Sequence, residues 1–103
     1  MSFTLPVNRL LETPKTVAFY HPRPSYPVHI LLVPKKSIAS LSELQESDMD
    51  FMSDLFSCVQ SLVMELDLEQ EGYRLIVNGG NYQEIPQLHF HLISGGEMEK
   101  INK

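Results

Sequence analysis

The sequence predicts a single α+β domain over residues 1–103, and three observations support that prediction. Four segments are rich in β-branched and aromatic residues, or alternate polar with apolar ones, which is typical of strands. One segment repeats apolar residues at spacings of three and four, which is typical of a helix packed along one side. The composition, with 43% apolar and 20% charged residues, is ordinary for a folded domain of this length.

Two strand candidates precede the helix. Residues 16–20 combine β-branched and aromatic side chains. Residues 28–33 are apolar except for His29 and are followed by Pro34, which predicts a central strand with both faces covered. The segment between them, residues 20–27, contains three prolines. Because proline cannot donate to a strand ladder, we predict a rigid loop there.

The predicted helix begins near Ser47 and Asp48, which suit a cap and the positive end of a helix. It ends before Gly72, and its apolar stripe should face the core. Residues 39–44 are compatible with a further short helical turn. The stripe comprises Met49, Met52, Leu55, Phe56, Val59, Leu62, Val63 and Leu66.

Two further strand candidates follow the helix and flank a glycine-rich turn. Residues 73–77 run into the sequence Asn-Gly-Gly-Asn at 78–81, which is a strong turn signal. Residues 87–93 alternate polar and apolar side chains with the period of a strand. The glycines either form a plain hairpin turn or let main-chain N–H groups approach an anion.

Charge and cysteine content exclude several classes of function. The net charge is −5, so we expect no nucleic-acid partner. Cys58 is the only cysteine, which excludes an internal disulfide and fits a reducing compartment. No apolar run approaches the roughly 18 residues of a membrane span, and residues 1–6 lack the features of a signal peptide. We therefore expect a cytoplasmic protein without a membrane partner.

The histidines of the last strand candidate carry the chemical signal. Side chains two residues apart in a strand share a face and lie about 7 Å apart, so Gln87, His89 and His91 are predicted to project to one side. Three interpretations remain open. The first is an exposed polar face. The second is a zinc site with a third ligand from His29 or His21, and the third is attack by a neutral imidazole at phosphorus.

Several segments in order resemble the histidine triad (HIT) nucleotide-binding proteins. Residues 86–93, Pro-Gln-Leu-His-Phe-His-Leu-Ile, resemble the family signature, with Gln87 in place of its first histidine. Residues 27–36 are similar to the family segment Pro-x-His-x-Leu-Val-Ile-Pro-Lys, and residues 73–78 resemble its strand that ends in asparagine. Residues 95–98, Gly-Gly-Glu-Met, resemble the tail of the phosphoramidase-like branch.

The resemblance implies a fold, an assembly and a ligand class. The family fold is an antiparallel sheet with one long packed helix, usually paired into a homodimer. Residues 5–6, 10–12 and 18–19 resemble its opening strands. The implied ligand is a purine nucleotide or a related phosphate compound, and no cofactor or resident metal is expected.

The resemblance also implies roles for individual residues. His89 matches the nucleophile that attacks the α-phosphate to form a nucleotidyl-imidazole, and His91 matches a histidine that contacts a phosphate oxygen. Asn78 and Gln83 fall where the family contacts the phosphate or leaving group, and His29 falls on a histidine near the active site.

Three positions depart from the family pattern. The amide of Gln87 can hydrogen-bond but cannot carry charge or relay a proton. Glu84 stands where phosphoramidase-like members carry a serine or threonine, and a carboxylate there would repel phosphate unless it is protonated or turned away. His21 replaces an aspartate that grips both ribose hydroxyls, so it lies in the binding pocket with altered sugar recognition or faces solvent.

These considerations predict a nucleotidyl hydrolase of nucleoside phosphoramidates or dinucleoside polyphosphates that uses His89 as its nucleophile. One alternative is a nucleotide-binding module with little or no turnover, because the groups that recognise ribose and tune the leaving group are altered. The other alternative is a zinc-binding protein.

Overall fold

The computed structural model describes residues 9–98 and shows an antiparallel sheet packed against one long helix. The predicted α+β class is therefore confirmed. The strands are β1 (Arg9–Glu12), β2 (Thr16–Tyr20), β3 (Val28–Pro34), β4 (Arg74–Val77) and β5 (Phe90–Ser94), in the spatial order β1-β2-β3-β5-β4. The helices are α1 (Met49–Glu65) and the single turn α2 (Leu68–Glu71), with 3₁₀ turns at Leu41–Glu43, Glu46–Asp48 and Gly80–Tyr82.

The central position of β3 was predicted correctly, because β3 pairs with β2 on one side and with β5 on the other. The register places Leu31 opposite His91 and His29 opposite Ile93. His29 and His91 therefore lie on neighbouring strands, displaced by two residue pairs along the ladder. The predicted hairpin partners β4 and β5 are also neighbours. The proposed opening strand at residues 10–12 is part of β1, whereas residues 5–6 lie outside the described residues.

The prediction of a strand over residues 87–93 was wrong at its start, because β5 begins only at Phe90. Pairing with β3 and pairing with β4 both extend no further than Phe90. Before that point the main chain has other partners: the N–H of Leu88 donates to the Ile38 carbonyl at 2.7 Å. Gln87 and His89 consequently precede the ladder, and His91 lies within it.

Helix α1 covers one face of the sheet, but its buried stripe differs from the prediction. Met49 and Phe56 are 45% and 52% exposed, because they lie at the margin of the stripe, and Cys58 is buried instead. Phe56 still contacts the edge of the Phe90 ring, with ring centroids 6.0 Å apart. The buried helix residues are Met52, Leu55, Cys58, Val59, Leu62 and Val63.

The predicted helix to Gly72 is interrupted, because α1 ends at Glu65 and the separate turn α2 leads to Gly72. The start near Ser47 and Asp48 is a 3₁₀ turn that leads into α1, and the Asp48 carboxylate accepts the N–H of Gln45 rather than capping α1 itself. Gly72 ends α2 with a φ of 93°, a backbone conformation that glycine adopts without strain. Within residues 9–98, no helix is long and apolar enough to cross a membrane.

Candidate active site

A cavity of about 580 Å³ lies on the face of the sheet away from α1. Alternation along β3 sends Ile30 and Leu32 into the core beneath α1 and leaves Leu31 and Val33 on the other face. Leu31, Val33 and Phe19 form an apolar floor for the cavity. All four histidines of the chain line its walls. A second groove, of about 700 Å³, contains no histidine.

The structure brings seven of the eight predicted site residues to this one cavity. Gln83 is the exception, because its amide donates to the main-chain carbonyls of Ala39 at 2.7 Å and Ile85 at 2.9 Å. Gly79 and Gly80 of the turn are not among the lining residues either, whereas Asn78 is. The seven residues are His21, His29, Asn78, Glu84, Gln87, His89 and His91. Their roles remain predictions.

The proline-rich loop at residues 22–27 positions two of the histidines through its main chain. Prolines at 22, 24 and 27 have no N–H, so few donors remain in this segment. The N–H of Arg23 donates to Nδ1 of His21 at 2.9 Å, and the N–H of Ser25 donates to Nδ1 of His29 at 3.0 Å. The main-chain N–H of His21 in turn donates to the carbonyl of His29 at 2.8 Å.

His29 and His91 form a directly bonded imidazole pair, with His29 Nε2 at 2.9 Å from His91 Nδ1. Nδ1 of His29 already accepts the N–H of Ser25, so a neutral His29 carries its proton on Nε2. It therefore donates to Nδ1 of His91. That leaves the proton of a neutral His91 on Nε2, as a free N–H donor.

His89 has the opposite tautomer. Its Nδ1 lies 2.7 Å from the main-chain carbonyl oxygen of Gln87, which can only accept. In the neutral ring Nδ1 therefore carries the proton, and the lone pair lies on Nε2. The rings of His89 and His91 meet edge to face with centroids 5.1 Å apart. The cavity thus holds a nucleophilic nitrogen beside an N–H donor.

The surroundings keep three of the imidazoles uncharged at neutral pH. Burial, together with the nearby rings of His89, His29 and His21, lowers the pKa of His91 to about 4. Burial is the main cause of a lowered pKa for His29, and the nearby ring of His21 lowers this pKa further. For His21, burial is again the main cause of a lowered pKa; His89 and Arg23 add to it, and Glu84 opposes it.

Stability should fall in acid because of His91. Its folded-state pKa of about 4 lies below the ordinary 6.5, so between these values the unfolded chain binds the proton first. The free energy of unfolding therefore decreases as pH falls through this window, by about 1–2 kcal/mol at roughly pH 5 after allowance for the partial exposure of the ring. Urea denaturation at about pH 7.5 and at about pH 5 measures the loss.

The control is His91→Asn, which keeps an acceptor for the His29 N–H but does not titrate. It should lose about 1–2 kcal/mol less than the wild type between the two pH values. Equal losses in the two proteins would contradict the shifted pKa.

Within the described part of the chain, no group of three or more histidine, cysteine, aspartate or glutamate side chains is arranged to hold a metal ion. Two of the nitrogens considered for zinc, His29 Nε2 and His91 Nδ1, are directed at each other.

Sequence reasoning missed the apolar floor and part of the rim. Phe19, Leu31 and Val33 follow the period of their strands, so the alternation in β2 and β3 could have identified them. Tyr82 and Ile85 line the cavity although they are 81% and 55% exposed. No local pattern marks these two, because the fold of the loop before His89 decides their position.

Known proteins share this fold and part of this sequence. A model of the HIT domain matches residues 3–98. An uncharacterised HIT-like protein of Buchnera aphidicola is 33% identical over 100 residues, which cover 95% of this chain and 88% of that protein. An adenosine 5′-monophosphoramidase of Candida albicans is 33% identical over 97 residues, which cover 86% of this chain and 62% of that protein. The crystal structure of a HIT family hydrolase from Legionella pneumophila matches with a TM-score of 0.84 and 30% identity, over 92% of this chain and 87% of that one. The chain therefore belongs to the HIT domain family.

Proposed function

We propose that this protein is a hydrolase that releases the leaving group from the α-phosphate of a purine nucleotide through a covalent intermediate on His89. The observation that carries the proposal is the bond from His89 Nδ1 to the Gln87 carbonyl, because it leaves Nε2 as a free lone pair in the cavity. A neutral, oriented imidazole is a competent nucleophile toward phosphorus.

In the first step, the lone pair on His89 Nε2 forms a bond to the α-phosphorus. The bond to the leaving amine breaks, and its electron pair stays on the amine nitrogen, which takes a proton from water. The ring becomes an imidazolium whose Nδ1–H still donates to the Gln87 carbonyl. In the second step, water attacks the phosphorus and loses a proton, which neutralises the hydroxide left by the first step. The N–P bond breaks with its electron pair returning to Nε2, and neutral His89 and the nucleotide are released.

His91 acts on the phosphate in this proposal as a fixed, uncharged donor. Its Nε2–H is free because Nδ1 is bonded to His29, so it can donate to an oxygen on which charge develops. Because the pKa of His91 is lowered to about 4, the ring does not change its protonation state as pH varies around neutrality.

Gln87 fits the proposal in spite of its altered side chain. We propose that it stands at the first histidine of the family signature. The group that orients His89 is the main-chain carbonyl of Gln87, so the change of side chain leaves this contact in place. The Gln87 amide itself donates to the Leu88 carbonyl at 3.3 Å.

We place the protein in the phosphoramidase-like branch, and the monophosphoramidase of Candida albicans makes adenosine 5′-phosphoramidate the first substrate to test. Samples quenched in alkaline denaturant, in which a P–N bond to histidine persists, should contain protein that carries one AMP, and peptide mapping at alkaline pH should locate it on His89. The His89→Asn protein should show no adduct. Binding of AMP without adduct or turnover would instead support the binding-module alternative.

Sugar recognition should be weak because His21 presents a donor instead of a carboxylate. Arg23 N–H occupies Nδ1, so the neutral ring offers Nε2–H to the cavity and no acceptor for ribose hydroxyls. His21→Asp should tighten AMP severalfold, because each hydroxyl then donates to a charged acceptor. Isothermal titration with AMP and 2′-deoxy-AMP measures the change.

His21→Asn is the matched control, because it is neutral and carries no carboxylate. It should not tighten AMP, and His21→Asp should leave 2′-deoxy-AMP nearly unaffected. An equal response of both ligands, or of neither, would show that His21 does not contact the sugar.

We also propose a cytoplasmic homodimer, as the family resemblance implies. β4 lies at one edge of the sheet, where a second copy can pair by a two-fold axis. Analytical ultracentrifugation at micromolar concentration should give a species of twice 11.8 kDa. A single 11.8 kDa species would contradict the dimer.

A further inference from the structure

The orientation of the imidazole pair depends on a single main-chain donor. His29 Nε2 and His91 Nδ1 share one proton, and geometry alone allows either nitrogen to hold it. Among residues 9–98, the contact at Nδ1 of His29 that breaks this symmetry is the N–H of Ser25 at 3.0 Å. A main-chain N–H can only donate, so Nδ1 of His29 must accept.

We propose that Ser25 is a positioning residue, whose main-chain N–H fixes the tautomer of His29 and, through it, the tautomer of His91. The consequence for catalysis rests on the proposed function. Without this N–H, His29 can hold its proton on Nδ1, and its Nε2 then becomes an acceptor. His91 must in that case place its own proton on Nδ1, which leaves a lone pair on Nε2 where a phosphate oxygen needs a donor.

The surrounding structure holds Ser25 in place for this role. Its carbonyl accepts the main-chain N–H of Met98 at 2.7 Å, so the segment after β5 ties down the loop. Gly95 packs so closely against Pro27 that a Cβ there would lie 2.7 Å from the proline ring. The prolines on both sides of Ser25 also restrict the loop, because they fix their own backbone angles.

The structure offers two variants at the same position that separate the main chain from the side chain. Ser25→Ala removes the hydroxyl and keeps the N–H, so it should behave as the wild type. Ser25→Pro removes the N–H donor. A third variant, His29→Gln, removes the imidazole whose tautomer is in question; with its Oε1 accepting the Ser25 N–H, its amide nitrogen can donate to His91.

The first measurement needs no substrate. Two-bond ¹H–¹⁵N correlation spectra of the ligand-free protein should show protonated Nε2 on His29 and His91 and protonated Nδ1 on His89. Ser25→Ala should give the same pattern. Ser25→Pro should populate protonated Nδ1 on His29 and His91 and leave His89 unchanged. Protonated Nδ1 on His29 in the wild type, or an unchanged pattern in Ser25→Pro, would overturn the proposal.

The second measurement uses turnover of adenosine 5′-phosphoramidate. Ser25→Pro should lower kcat about five- to tenfold, the effect of one lost hydrogen bond, with KM nearly unchanged and Ser25→Ala without effect. In the His29→Gln background, Ser25→Pro should cause no further decrease. An equal decrease in both backgrounds would mean that Ser25 acts by general structure and would overturn the proposal.

The two measurements test the proposed function and the role of Ser25 independently. If the protein turns over no nucleotide, the proposed function is wrong, and the tautomer pattern still decides the role of Ser25. If Ser25→Pro does not fold, the wild-type spectrum and His29→Gln decide it: His91 must hold its proton on Nε2 in both proteins, and protonated Nδ1 in either one contradicts the assignment.

Discussion

Replacing His89 with asparagine should lower kcat for adenosine 5′-phosphoramidate at least about 1,000-fold, because it removes the proposed nucleophile. The asparagine amide can still donate to the Gln87 carbonyl in place of Nδ1–H, so the local structure should persist. No atom of asparagine supplies the lone pair of Nε2. Steady-state kinetics measure the loss, and isothermal titration with AMP should show that binding is retained.

His91→Asn is the matched comparison, two residues further along the chain. It removes the Nε2–H group proposed to donate to the phosphate but leaves His89 in place, so kcat should fall about 100-fold, as for the loss of one transition-state donor. A His89→Asn protein that retains more activity than His91→Asn would contradict the assignment of the nucleophile.

The largest effect on stability is expected for Gly95→Ala, at about 2–3 kcal/mol. Gly95 has a φ of 87°, which L side chains rarely adopt. An added Cβ would lie 2.7 Å from Cγ and 2.9 Å from Cδ of Pro27, and the rigid proline ring cannot rotate away. Thermal unfolding should show a decrease in Tm of about 10–15 °C.

The neighbouring Gly96 is a natural control. A Cβ at Gly96 meets nothing within 4 Å, and its φ does not lie in the left-handed region. Gly96→Ala should therefore change the free energy of unfolding by no more than about 0.5 kcal/mol. If the two alanine variants unfold at the same temperature, the contact with Pro27 does not contribute to stability.

The local sequence pattern was sufficient to predict the strands whose residues are almost all apolar along their length. β2 and β3 match the predicted segments because residues 16–20 and 28–33 are apolar throughout apart from Thr16 and His29. Local pattern was insufficient to predict where a strand begins. The apolar alternation of residues 87–93 continues past the ladder, since alternation records which side is buried and not which main-chain groups are paired.

The sequence by itself determined the α+β class, the central strand, the long helix and the set of histidines proposed to carry the chemistry, because each depends on residue type and short spacing. Tertiary structure decided how those histidines are placed and hydrogen-bonded. The register that sets Leu31 opposite His91 brings His29 within 2.9 Å of His91, and the proline loop then supplies the N–H groups that select the tautomers. It also turned Gln83 to the carbonyls of Ala39 and Ile85. These features are long-range contacts, and local periodicity contains no information about which distant main-chain group a side chain will meet.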